Sequence, residues 1–255
     1  MQQRARHTIT AALLPFLALH TACDSHPMSS TEPIGTSAAQ VPGANSAGDG
    51  LSADIADGEA EPFDVAEVFF EFNTTDNDLG FQIFLDAEGW QRLSLADPAR
   101  RNTVEINARG ALSELGITEL RFESAEPSPA EVLALFPPGP YRFTGMTVEG
   151  QRLASTARLS HRFLPAPTFS PSGGETVDRN ATVVRWHAPG ARQIEIIIED
   201  EEARNVFDVV VSSPITSLDV PPQFLLAGTE YKIEILAIAE NGNRTIAEST
   251  FITLQ

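Results

Sequence analysis

The chain has 255 residues, 17 Lys and Arg against 35 Asp and Glu, a formal net charge of -18, and 42% apolar residues. So negative a balance, with no basic cluster, excludes nucleic acid as the main partner, because binding it means neutralising phosphates with Lys and Arg. The single cysteine, Cys23, excludes an intrachain disulfide, so every folded part must be held by its core alone.

Arg4, Arg6 and His7 precede a short apolar run from Ile9 to Leu19 that Pro15 interrupts, and small residues follow up to Cys23. The run is too short to span a bilayer and reads as a secretory signal peptide, residues 1–22. Thr21-Ala22-Cys23 resembles the end of the lipobox of bacterial lipoproteins, where a small residue precedes the cysteine that is lipidated. That resemblance implies lipidation of Cys23, an exported chain, and membrane contact through the lipid anchor only. His20 departs from the family's usual Leu, and the alternative is ordinary signal cleavage that leaves a free thiol. Residues 23–61 are mostly Ser, Ala, Gly, Pro, Thr and acids. Such a stretch buries too little to offset the entropy of ordering it, and reads as a flexible acidic linker. A coil of about 37 residues would span roughly 30 to 35 Å.

In residues 62–163 the apolar side chains alternate with polar ones in short runs: Val68, Phe70 and Phe72; Phe81, Ile83 and Leu85; Val104 and Ile106; Leu120 and Phe122; Tyr141 and Phe143; and a weaker run from Leu153 to Leu159. Turn signals at Asn77-Asp78, Glu88-Gly89, Pro138-Gly139 and Glu149-Gly150 separate them. This pattern predicts a β-sandwich-like domain, with one short helix at Pro129 to Leu135, where Ser128 can cap and Glu131 sits in the first turn. The segment from Asn73 to Gly80 places oxygen-bearing side chains at alternate positions, which offers Asp76 and Asp78 as calcium ligands. The EF-hand spacing is not met, and the alternative is a β-turn in which Asn and Asp bond their own backbone.

Leu164-Pro165-Ala166-Pro167 is a stiff connector. In residues 165–255, Thr182, Val184 and Trp186 alternate, an Ala188-Pro189-Gly190 break follows, and the corner Leu225, Gly228, Thr229 and Tyr231 leads into Ile233, Ile235 and Ala237 before an Asn241-Gly242 turn. In order and spacing these residues resemble a fibronectin type III domain, with Trp186 as its second-strand tryptophan and Tyr231 at its corner. The resemblance implies a β-sandwich whose core holds Trp186, Tyr231 and Leu225, and it implies no activity. The fold class expected is therefore all-β: two consecutive β-sandwich domains after a signal peptide and a disordered linker.

If Ile194, Ile196 and Ile198 face inward, then Ile197, Leu236 and Ile238 face outward as an aliphatic patch fit for a partner; the alternative is that another part of the chain covers them. Motifs of nucleophile elbows, paired zinc histidines and phosphate loops are absent. The function expected is a non-enzymatic cell-surface binding or scaffold protein, with a protein or glycan partner and no cofactor beyond the candidate calcium. Two further readings are a carbohydrate-binding role with Trp90 as platform, and a hydrolase using Asp86 and Glu88.

Overall fold

Alternation of apolar and polar side chains makes strands the dominant element of the described chain. The computed structural model describes residues 59–255; the leader, Cys23 and the linker up to residue 58 lie outside the described residues. In chain order the elements are β1 (Val65–Asn73), β2 (Asp78–Ala96), β3 (Asn102–Asn107), α1 (Ala111–Leu115), β4 (Ile117–Glu123), α2 (Pro129–Leu135), β5 (Gly139–Thr147) and β6 (Arg152–Leu159). There follow β7 (Thr168–Ser170), β8 (Glu175–Val177), β9 (Val183–His187), β10 (Gln193–Glu199), β11 (Asn205–Ser212), β12 (Ser217–Asp219), β13 (Glu230–Ile238) and β14 (Arg244–Thr253). Among the described residues no helix is long and apolar enough to cross a membrane.

In the first half β2 organises the rest. Its first part pairs with β1 and β4, and its second part with β3 and β5, with irregular register between Asp86 and Trp90. Glu88-Gly89 is therefore not the turn its composition suggests; the strand runs through it, bends, and serves two layers. The bend fits because Gly89 and Gly116 touch backbone to backbone: a Cβ on Gly116 would lie 2.6 Å from the Gly89 Cα, and Gly116 has φ 80°. Trp90, fully buried, fills the angle with Phe70, Phe81, Leu95, Tyr141 and Phe143. Helix α2 begins as expected: the Ser128 N–H donates to the Glu131 carboxylate at 3.1 Å and the Ser128 hydroxyl donates to the same group at 2.6 Å. Its Val132 closes the core.

The second half is a sandwich of β12-β9-β7 against the β11-β10-β13-β14 part of the large sheet. Between them lie Trp186, Val184, Leu225, Tyr231, Phe251 and the isoleucines 194, 196, 198, 233 and 235. The Tyr231 hydroxyl accepts the Leu226 N–H at 2.7 Å, tying the corner down as the resemblance implies, while the ring stacks on Phe251. Strand β8 is an addition that the sequence pattern did not indicate; it pairs in parallel with β14.

The connector is not the sole link between the halves. β1 pairs in parallel with β14, Glu71 opposite Arg244, Phe72 opposite Thr245 and Asn73 opposite Ile246. One 11-stranded sheet therefore runs through both cores.

Candidate functional site

The junction is built from the turn between β13 and β14. Gly242, with φ 85°, makes the reversal, and its open Cβ position faces the Phe69 side chain. The next residue, Asn243, is 1% exposed and fully employed. Its Oδ1 accepts the Phe70 N–H at 3.0 Å, and its Nδ2 donates to the carbonyls of Ser160 at 2.8 Å and Arg162 at 2.9 Å. Asn241 donates to the Arg162 carbonyl as well, at 3.0 Å, and the Thr245 hydroxyl donates to the Leu164 carbonyl at 3.2 Å. The edge of β1, the connector and the β13–β14 turn are thereby fixed together.

Above this junction lies an open cleft of about 830 Å³. Its walls come from both halves: Ala66 to Phe69 of β1, Pro138 and Gly139, the end of β6, Ser160 and Arg162 just ahead of the connector, Arg192 ahead of β10, and Glu240 to Gly242. Three arginines are among its lining residues, the exposed Arg158, Arg162 and Arg192, together with Glu67 and Glu240; Arg192 Nη2 donates to Gln193 Oε1 at 3.1 Å. Among the described residues none of the three arginines has a carboxylate within salt-bridge distance, although five other Lys and Arg side chains are so paired. A second hollow of about 270 Å³ lies beside Trp186, His187 and Pro189.

The outer face of the β10–β13–β14 region is where the sequence pattern locates an exposed aliphatic patch. The structure corrects this: Ile197, Leu236 and Ile238 are only 6%, 3% and 9% exposed. The reason is register. Ile197 lies between Asp208 and Glu234, Leu236 between Glu195 and Ile246, and Ile238 between Gln193 and Arg244, so long polar side chains flank each one. Three of those neighbours, Glu195, Glu234 and Arg244, are held in ion pairs. Lys232 Nζ lies 2.5 Å from Glu234, 3.0 Å from Glu248 and 3.4 Å from Glu199; Arg244 lies 2.8 Å from Glu71 and 3.6 Å from Glu195, with its guanidinium 4.9 Å above the Phe69 ring.

Burial dominates the titration of this face. It raises Glu71, Glu195 and Glu234 above the usual carboxylate range, and the cations Arg244 and Lys232 counter it only in part. Burial also pulls Lys232 down, but its carboxylate partners outweigh that and hold it above the ordinary lysine value. At the far end Glu126 is pushed up to about 8, by burial first and then by the charges of Glu123, Asp78 and Glu71.

The remaining sequence-derived candidates fall elsewhere. Asp76 sits in the β1–β2 turn, where Asn73 Oδ1 accepts the N–H groups of Thr75 at 2.9 Å and Asp76 at 3.3 Å. Asp78 begins β2, with burial raising its carboxyl and the charges of Asp76 and Glu248 adding to the rise. Among the described residues no group of three or more His, Cys, Asp or Glu side chains is placed to hold a metal ion. Trp90 is not an exposed sugar platform, being fully buried in the first core. Asp86 and Glu88 do not line the cleft. His161 packs on Phe70, with Nε2 2.8 Å from the Phe136 carbonyl oxygen. Cys23 lies outside the described residues.

The sequence reading missed Arg158, Arg162, Arg192 and Asn243. A usable signal existed for two of the arginines: Arg158 and Arg162 lie four residues apart just ahead of the connector in a chain otherwise short of cations. Asn243 stood out only as the first residue of an Asn-x-Thr triplet.

No protein-family model matches the chain, and no curated protein matches it. Among solved structures, the chain is similar to CopC from Methylosinus trichosporium OB3b at 21% identity, over 37% of this chain and 94% of that one, with a TM-score of 0.29. It is similar to the FN1–FN3 domains of chicken CNTN1 at 14% identity, over 77% and 70% of the two chains, with a TM-score of 0.32. It is also similar to Tp47, the 47-kilodalton lipoprotein of Treponema pallidum, at 11% identity, over 75% and 50%, with a TM-score of 0.35.

Proposed function

We propose that this chain is a non-enzymatic binding or scaffold protein of the cell surface, exported by its leader and anchored through Cys23, which recognises its partner in the cleft at the junction of its two β-sandwiches. The observation that carries this reading is Asn243. By fixing β1, the chain just ahead of the connector and the β13–β14 turn to one another, it gives a cleft assembled from both halves a preformed shape. Preformed concave surfaces bind at a lower entropic cost than surfaces that must be ordered on contact.

Two experiments test the reading. Purified full chain is applied to cell-envelope fractions, beside a Glu67→Trp variant that fills the cleft from an exposed position on β1. Retention of the parent and loss of the variant are expected, and equal retention of both would refute the cleft as the recognition surface. Labelled palmitate should enter the parent and not a Cys23→Ala variant.

A further inference from the structure

We infer that the cleft at the junction binds a small organic carboxylate that also carries hydrogen-bond donors, such as an acidic sugar or an amino acid. This deepens the reading of the cleft as the recognition surface and rests on it.

The chain carries 35 acidic side chains and 17 basic ones. On the outer sheet face Lys232 and Arg244 each gather more than one carboxylate, whereas ten of the fifteen Lys and Arg side chains among the described residues have none within salt-bridge distance. Arg158, Arg162 and Arg192, from the end of β6, the residues just ahead of the connector and the approach to β10, line one cleft, where they outnumber the carboxylates of Glu67 and Glu240 in this predominantly acidic chain. A guanidinium presents paired N–H donors that match a carboxylate in a bidentate fork, so three of them in one concavity favour that chemistry.

Size and the other lining groups narrow the ligand. A cleft of about 830 Å³ falls in the range of small-molecule sites. Glu67 and Glu240 stand on the same lining, and the chain's overall negative charge would repel a long polyanion. Both carboxylates are acceptors only, so they are satisfied by hydroxyl or ammonium donors on the ligand. A bare anion leaves them unanswered, and a neutral sugar leaves the arginines so.

The experiment is calorimetric titration of the purified full chain with D-galacturonate, L-glutamate, D-galactose and sodium phosphate. At least one of the two carboxylates should bind, and galactose and phosphate should bind at least about tenfold more weakly, the loss expected for one charge-assisted hydrogen bond. Galacturonate alone would identify an acidic sugar, and glutamate alone an amino acid. Arg162→Gln and Arg192→Gln should each weaken the bound carboxylate about tenfold, whereas Arg109→Gln, exposed between β3 and α1 and not among the cleft-lining residues, should leave it unchanged. Thermal melts of the three variants confirm that each is folded. The inference is overturned if neither carboxylate binds, if galactose or phosphate binds equally well, or if folded arginine variants bind like the parent. Should neither carboxylate bind while Glu67→Trp still abolishes retention on envelope fractions, the cleft remains the recognition surface and only its ligand class is refuted.

Discussion

Asn243 Oδ1 accepts the backbone N–H of Phe70 at 3.0 Å across 173 residues of sequence. That bond joins the first strand of one core to the last turn of the other. Because Nδ2 of the same side chain serves the carbonyls of Ser160 and Arg162, Asn243→Ala would leave a buried N–H and two carbonyls without this partner. The variant should lose on the order of 3 kcal/mol in urea unfolding. Hydrogen exchange distinguishes a local from a general effect: the Phe70 amide should exchange faster while the Ile196 amide, deep in β10, keeps its protection.

Trp186 and Tyr231 carry different parts of the second core. Trp186→Ala removes a side chain that is 6% exposed and should cost about 3 to 5 kcal/mol. Tyr231→Phe keeps the ring on Phe251 and removes only the acceptor for the Leu226 N–H, so a loss of about 1 kcal/mol is expected. Equal midpoints for the two variants in denaturant would contradict this division.

Glu126 makes stability depend on pH in a stated direction. Its folded-state pKa of about 8 lies above the ordinary 4.5, so folding favours the protonated acid. The contribution is complete below pH 4.5 and is lost as the pH rises through 8. Glu126→Gln, which stays neutral, should therefore melt above the parent at pH 9 and no higher than the parent at pH 4. Parallel melting curves for the two proteins from pH 4 to 9 would show that the carboxyl titrates normally.

Lys232 holds Glu199, Glu234 and Glu248 together. Lys232→Met strands three carboxylates on a poorly hydrated face, at a cost of about 2 kcal/mol at pH 7, given that the ammonium is itself partly exposed. The deficit should narrow at pH 4, where the stranded acids take up protons. Denaturant midpoints at the two pH values check it.

Local chemistry made much of the fold legible. Strict alternation marked β9, β10 and β13; Ser128 and Glu131 marked the start of α2; and the Leu225–Tyr231 corner announced its own hydrogen bond. What depends on distant partners was not readable. Gly89 looks like a turn until Gly116, far along the chain, is seen pressed against it. Period-two alternation assigns Ile197, Leu236 and Ile238 to an outer face, but it cannot show that each has a long ion-paired neighbour in register, Glu234, Glu195 and Arg244 respectively. The cleft was the least readable of all, since its arginines sit at the ends of elements where no periodicity acts.

The parallel pairing of β1 with β14 also bears on what happens under tension. Pulling on the chain ahead of β1 and beyond β14 draws the two strands past each other along their length. The rungs joining Glu71, Phe72 and Asn73 to Arg244, Thr245 and Ile246 then share the load and must rupture together, instead of opening one after another like a zip. A protein tethered at one end and gripped at the other would resist detachment by that shear geometry.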